Sequence, residues 1–237
     1  MEKFTKDELL RYSRHFMLED ICVDGQFKFK TAKILVIGAG GLGCPVIQYL
    51  AASGIGALGI IDFDKIEIHN LHRQILYGTD DIGQAKVQIA AGRVKASNPH
   101  VNCIAYETKL DETNAEQIID QFDLVIDGSD NFATRYLVND VCMALNKPLV
   151  YGSILNYEAQ LAVFNYKNGK NLRDIYPDAP HPDEAPSCSL NGVVGVVPGL
   201  LGLYMANVAL QIVLGTYEQK GLMIFDFKNF DILKLNF

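Results

Sequence analysis

The chain has no C-x-x-C pair, no H-x-x-x-H spacing and no long basic run. Each absence removes a class of function. Five dispersed cysteines (Cys22, Cys44, Cys103, Cys142 and Cys188) make an odd set. They argue against a disulfide framework and for reduced thiols in a cytoplasmic protein. His15, His69, His72, His100 and His181 form no ligand pattern, so no metal role is assigned to them. The N-terminus, MEKFTKDELLRYSRHF, is charged and amphipathic, unlike a secretory signal. A net charge of −7 without a concentrated cationic face argues against a nucleic-acid partner.

One stretch has too little charge rather than too much. From Ser187 to Tyr217 there is no charged residue, and the run is long enough to span a bilayer. Gly192, Gly195, Pro198, Gly199 and Gly202 crowd its first half, Asn207 and Gln211 interrupt its second, and no Lys/Arg cluster flanks it. A buried core or interface helix fits better than a membrane span. With 49% apolar and 21% charged residues, the 237-residue chain has the composition of a globular protein with a substantial core.

What is present reads as alternating strands and helices. Thr5-x-x-Glu8 has capping-box spacing and predicts a helix over 6–14. Strands are expected at 33–37, 58–63, 101–106 and 124–127, with helices at 43–52, 84–96, 114–120 and 132–145. After Pro148 the pattern changes to strand-like segments at 149–152 and 159–166. A polar, proline-bearing loop follows over 167–190, then a helix over 200–214 and a closing hairpin at 222–227 and 232–235. The expected class is α/β: a Rossmann-like, doubly wound, mostly parallel sheet extended by antiparallel strands in the C-terminal half. No linker, repeat or low-complexity tract divides the chain, so 1–237 is read as one domain.

The stretch ILVIGAGGLGCPVIQYL carries Gly38-x-Gly40-x-x-Gly43 between a strand and a helix. The first glycine permits a tight turn, the second admits a ligand to the backbone, and the third lets helix and strand pack closely. The helix N-terminus then faces the ligand's phosphates. Asp62 ends the second strand, with Asp64 just beyond, about 20 residues past the loop, where a carboxylate can bind ribose hydroxyls. NAD, FAD, S-adenosylmethionine and ATP all satisfy that much.

Charge separates them. Asn70, Arg73 and Gln74 follow the second strand, Lys86 opens the next helix, and Asp130 lies just past the strand at 124–127. A cation in the first turn of a helix opposes the helix dipole, and is better explained by an anion between it and the glycine loop than by solvation on an open face. A dinucleotide brings about two negative charges, which a glycine loop holds with little help. ATP brings about four and needs added cations and a magnesium ion on a carboxylate, parts that Arg73, Lys86 and Asp130 would supply. ATP is therefore the expected nucleotide.

The series RYSRHF (11–16), GAGGLG (38–43), IIDFDKIEIHNLHRQ (60–74), IGQAK (82–86) and DGSDNFATRY (127–136) resembles the ThiF/MoeB/HesA family, bacterial relatives of ubiquitin-activating enzymes. The resemblance implies ATP-dependent adenylation of the C-terminal Gly-Gly carboxylate of a ubiquitin-like sulfur carrier of the ThiS or MoaD type, with release of pyrophosphate. It implies that Gly41 and neighbouring amides contact ATP, Asp62 its ribose, and Asn70, Arg73 and Lys86 its phosphates. Asp130 would hold the magnesium, with Asn131 beside it. Arg14 would reach into the partner's site in a homodimer. Residues 1–30 would be an N-terminal helical segment, 31–148 the Rossmann-like ATP-binding part, and 149–237 the carrier-binding and dimer part. His15 stands where the family commonly has glutamine.

The chemistry needs no general base, because a chain-terminal carboxyl, with a pKa of about 3.5, is already ionised at neutral pH. Its obstacle is one anion approaching another, which placed cations and amides relieve.

By the same resemblance, Cys188 is where ThiF-type members bond covalently to the carrier and where MoeB-type members have a dispensable thiol. Asp183 and Glu184 nearby would raise rather than lower its pKa. The other four cysteines sit in or beside apolar segments and are read as packing residues. Many relatives carry a zinc on two C-x-x-C pairs. The first would fall at Asn171 and Asp174 and the second at the terminal LKLNF, so a zinc-free member is expected, with a looser 167–187 segment. Competing readings are an NAD-dependent oxidoreductase, a non-catalytic nucleotide-binding scaffold, and adenylation of a peptide or tRNA base.

Overall fold

The computed structural model describes residues 3–180 and 192–236. Thr5 caps the first helix, α1 (Lys6–Arg11), with the reciprocal bonds that its spacing predicts. Its hydroxyl accepts the Glu8 N–H, and the Glu8 carboxylate accepts the Thr5 N–H. The helix stops three residues earlier than 6–14, because the chain turns to bury Tyr12, whose hydroxyl accepts a bond from Asn98. A second helix, α2 (Cys22–Thr31), follows, tied to α1 by the Lys30–Glu8 ion pair at 2.8 Å. Cys22 corrects one expectation. It opens α2 at φ 49° and is exposed, so its apolar neighbours did not make it a packing residue. Cys44 and Cys142 are buried and Cys103 is half-buried. Desolvation pushes the thiols of Cys44 and Cys103 up to about 12 and 11.

The strands are β1 (Lys33–Ile37), β2 (Ala57–Ile61), β3 (Asn102–Tyr106), β4 (Leu124–Asp127), β5 (Leu149–Leu155), β6 (Glu158–Phe164), β7 (Leu222–Asp226) and β8 (Asp231–Leu235). They form one sheet in the order β3-β2-β1-β4-β5-β6-β7-β8. β3 to β5 on that path pair in parallel, and β5 to β8 pair antiparallel. Between the parallel strands run α3 (Gly43–Ser53), α4 (Lys86–Ser97), α5 (Ala115–Ile119) and α6 (Phe132–Ala144). A long helix, α7 (Val196–Leu214), precedes β7. The boundaries lie within a few residues of those read from periodicity. The exception is α7, whose first turn begins at Val196 despite the glycines.

Alternate strand residues leave the sheet on opposite sides. Ile34 and Val36 of β1, with Leu58 and Ile60 of β2, join one core with α2, α3, α4 and α7. Leu35, Ile37 and Val125 join a second core with α5 and α6. Burying each such side chain stabilises the fold by roughly 1.5–3 kcal/mol, and two-sided burial explains why these strands are continuously apolar. α7 is long and apolar enough to cross a membrane by length and composition. In the fold it packs against α3, β5 and β6 through Leu201, Met205, Ala206 and Ala209, leaving Leu203 and Tyr204 exposed.

Because the strand order reverses between β1 and β4, the carboxyl ends of those two strands open a crevice, where α/β sheets of this kind take ligands. Gly38 leaves β1 at φ 85°, in the left-handed region, and a side chain there would crowd the Gly128 carbonyl after β4. Gly43 sits so close to the Gly38 carbonyl that any side chain there would collide with it.

Candidate active site

A cavity of about 540 Å³ occupies that crevice. One end is made of the turn after β1 and the ends of β2 and β3: Gly38, Gly40, Gly41, Asp62, Asp64, Lys86 and Lys109 among others. The other end is made of the loop after β4, the start of α6, and β5: Ser129, Asp130, Asn131, Arg135, Tyr151 and Ser153. Arg73, Gln74 and Pro198 also line it, and residues 172–180 supply Leu172, Tyr176, Asp178 and Pro180.

Asp62 is held by main-chain amides. One oxygen accepts the Ala39 N–H and the other the Asp64 N–H, both at 2.8 Å. Desolvation raises its pKa, and the nearby Lys86 charge works against that rise. Lys86 opens α4, as expected, but is not solvated. Its side chain is 6% exposed, and Nζ donates to Asp64 Oδ2 at 2.8 Å. Asp64 is half exposed and accepts this hydrogen bond from the ammonium, which retains two further N–H donors. The cation at a helix start thus has a local counter-charge, and remains able to meet an anion.

Arg73 donates to the His69 carbonyl at 3.0 Å and to His72 Nε2 at 2.8 Å. Gly41 lies between Arg73 and Pro198, with room for no more than a tight methyl. Gln74 is buried, and its Oε1 has no hydrogen-bond partner among the described residues. Asn70 does not line the cavity. It is buried, its Oδ1 accepts the Glu67 N–H at 3.0 Å, and its carbonyl accepts the N–H groups of Arg73 and Gln74. It shapes the turn that presents those two residues. Arg14 is exposed and lies outside this cavity, with Nη1 at 3.8 Å from Met17 Sδ. Cys188, with its neighbours Asp183 and Glu184, lies outside the described residues.

Asp130 is exposed and forms no hydrogen bond or ion pair among the described residues. Asn131 caps α6, its Oδ1 accepting the Thr134 N–H at 2.9 Å. No group of three or more His, Cys, Asp or Glu able to hold a metal occurs among the described residues. Magnesium does not need one, since it is commonly held by one or two carboxylates together with substrate phosphates and water. A single exposed carboxylate lining the same cavity as the glycine turn fits that donor set.

Sequence reasoning missed Arg135. The residue is only 6% exposed, and Nη1 donates to Ser153 Oγ at 2.7 Å and Nη2 to the Ser129 carbonyl at 3.0 Å. A signal existed, because Arg135 shares the i, i+3, i+4, i+7 stripe of α6 with the buried Val138, Asn139 and Cys142. Asp127 was read only as a strand residue. It is fully buried, and desolvation raises its pKa, with Arg135 acting against the rise.

Of the segment 167–187, residues 167–180 are described, and they carry bonds of their own. Asn171 caps a short turn with Asp174, and Arg173 forms two bonds to Asp140 of α6 at 2.8 and 2.7 Å. The Tyr136 hydroxyl also donates to the carbonyls of Tyr176 and Asp178. The side chains of Asn171 and Asp174 thus bond to each other and to the adjacent main chain. Residues 181–187 lie outside the described residues.

The ThiF family model matches residues 12–237. A sulfur carrier protein adenylyltransferase of Thermus thermophilus is 45% identical over 218 residues, 90% of this chain and 80% of the relative. The probable adenylyltransferase/sulfurtransferase MoeZ of Mycobacterium tuberculosis is 44% identical over 90% of this chain and 56% of its own length. For the adenylyltransferase and sulfurtransferase MOCS3 of Danio rerio the values are 45%, 92% and 48%. The chain therefore spans about half the length of the last two. Among solved structures, PaaA superposes with a TM-score of 0.83 at 20% identity, over 100% of this chain and 75% of that one. E. coli MccB with ATP gives 0.81 at 21% identity, over 95% and 71%. At those identities the likeness is one of fold.

Proposed function

Because this chain belongs to the ThiF family, we propose that it adenylates the C-terminal carboxylate of a ubiquitin-like sulfur-carrier protein with ATP. The observation that carries the reading is the buried Lys86 opening onto the same cavity as the Gly38–Gly43 turn. A buried ammonium is costly unless anions meet it, and a polyphosphate at the turn supplies them.

In this reading the helix N-terminus of α3 and the loop amides hold the phosphates, with Arg73 and Lys86 neutralising them. Asp62 receives the ribose hydroxyls. One carboxylate oxygen of the carrier attacks the α-phosphorus. An acyl–phosphate bond forms, the bond to the bridging oxygen breaks, and pyrophosphate leaves with that electron pair. The cations and amides lower the barrier by screening one anion from another. Asp130 would hold magnesium, which when bound neutralises charge on the phosphates. The carrier's tail would enter from the β5 end of the cavity, with its body against the 149–237 half. Arg14, exposed and outside the cavity of its own chain, suits a reach into a second copy, which would make the working form a homodimer. One relative's name specifies a sulfur carrier protein of unstated type and another specifies molybdopterin synthase, so a thiamine-type and a molybdopterin-type carrier are both candidates.

Isotope exchange between pyrophosphate and ATP tests this, run with ThiS-type and MoaD-type carriers and with carriers lacking the terminal glycine. Exchange that requires one intact carrier type is expected. Binding of NADH with no carrier-dependent exchange would overturn the reading in favour of a redox enzyme.

A further inference from the structure

Asp130 projects from a loop whose main chain is held unusually well. The Ser129 N–H donates to Asp127 Oδ1 at 2.9 Å, and the Ser129 carbonyl accepts from Arg135 Nη2 at 3.0 Å. Two buried side chains, a carboxyl and a guanidinium, therefore grip the two ends of the residue just before Asp130. On the other side, Asn131 is fixed by its cap on α6, and Gly128 donates to the Ile37 carbonyl at 2.9 Å.

Arg135 has a second attachment. Nη1 donates to Ser153 Oγ at 2.7 Å and approaches the Tyr151 hydroxyl at 3.4 Å, both on β5. Its guanidinium lies 5.4 Å from the ring centroids of both Phe132 and Tyr151. The Arg135 charge acts against the rise in the Asp127 pKa, but among the described residues no ion pair joins them, and Arg135 Nε and Asp127 Oδ2 each lack a hydrogen-bond partner. A buried cation kept without a full counter-charge is poor evidence for stability. Its fork geometry is what the site uses, because a planar guanidinium can bond two acceptors on two different elements at once, and an ammonium on a flexible stem cannot hold that geometry.

We propose that Arg135 is the positioning residue for Asp130: it bridges the loop after β4 to β5, fixes the direction of the Asp130 carboxylate, and ties that direction to the cavity wall that the acceptor's tail would follow. What Asp130 serves rests on the adenylation reading above. That Arg135 sets its direction does not.

The test compares Arg135→Lys, Ser153→Ala, Asp130→Asn and the Arg135→Lys/Asp130→Asn double variant in the full chain. ATP binding is measured by calorimetry across a magnesium series and in EDTA, beside carrier-dependent pyrophosphate exchange. For Arg135→Lys, the magnesium concentration giving half-maximal binding should rise about tenfold, the usual effect of losing a partner that orients a metal ligand. Affinity for ATP in EDTA should stay within roughly twofold, and in the Asp130→Asn background the same change should add less than about twofold. Ser153→Ala removes one tine and should move the magnesium dependence in the same direction by a smaller factor. An equal loss in EDTA, or a full tenfold effect that persists without the Asp130 carboxylate, overturns the proposal. If Arg135→Lys does not fold, an unchanged magnesium dependence in Ser153→Ala overturns it. Absence of exchange in the unaltered protein with magnesium-dependent ATP binding intact would sink the adenylation reading alone. Absence of magnesium-dependent ATP binding would sink both.

Discussion

The cavity end at β1 to β3 is built mostly from main chain, whereas the end at β4 and β5 is built from side chains that hold one another. At the first, the Gly38–Gly43 turn and the amides that bind Asp62 are fixed by backbone geometry, with Lys86 and Asp64 a paired charge beside them. At the second, Arg135, Ser129, Tyr151 and Ser153 depend on contacts between β4, α6 and β5. The sheet repeats the contrast. β1 and β4 are buried along nearly their whole length, and β8 is exposed at every residue. A main-chain site suits a ligand of constant shape, such as a polyphosphate. A side-chain wall can be remodelled for a particular acceptor at little cost to the fold.

The largest effect that would sharpen this contrast is on activity. Lys86→Met should lower carrier-dependent pyrophosphate exchange by about 10³-fold, the scale for removing one placed charge-stabilising donor. Its thermal midpoint should not fall, because Asp64 is half exposed and a buried ammonium is replaced by an apolar chain. A variant that loses stability as well as exchange would mean that Lys86 is structural. Next comes the sheet. Leu35→Ala in β1 should cost about 3 kcal/mol in urea unfolding, while Leu233→Ala in β8 should stay within about 0.5 kcal/mol. Equal costs would erase the distinction between the buried and the exposed strands. Gly43→Ala should cost about 2 kcal/mol, because its new methyl meets the Gly38 carbonyl, which is backbone and cannot swing aside. ATP affinity should fall with it.

The smallest effect concerns the segment beside the acceptor end. Bonding to Arg173 holds the Asp140 carboxyl below its ordinary value of 3.8. A depressed carboxylate contributes stability that is fully present above the unfolded pKa and is lost as pH falls through the folded one. Asp140→Asn should therefore lower the thermal midpoint slightly near neutrality, and the gap should close below about pH 4. Both side chains are more than 40% exposed, so the cost should remain under about 1 kcal/mol. A gap that widens in acid would refute the ion pair's role.

Gly38, Gly40, Gly43, Asp62, Lys86 and Asp130 were legible before any coordinates, and they line or frame one cavity. They were legible because each lies at the end of a strand or start of a helix whose periodicity is local. Asn70 was legible as a motif residue but not in its geometry, because the motif does not say which side chains of the turn point inward. Arg135 was overlooked because its stripe on α6 mixes polar with apolar residues, and what that face meets is decided only when β5 is placed beside it. The exposed Cys22 was misjudged for a related reason, since apolar neighbours in sequence do not specify which face of a short helix meets the core.

The order of elements, the glycine turn and the reciprocal cap at Thr5 and Glu8 follow from the sequence alone, because each is decided by steric and hydrogen-bonding preferences within a few residues. Three further features belong to the tertiary structure: the pairing of Lys86 with Asp64, the bridge from Arg135 to Ser153, and the burial of one side of α7. Each depends on which strands become neighbours, and that is settled by packing between segments far apart in the chain.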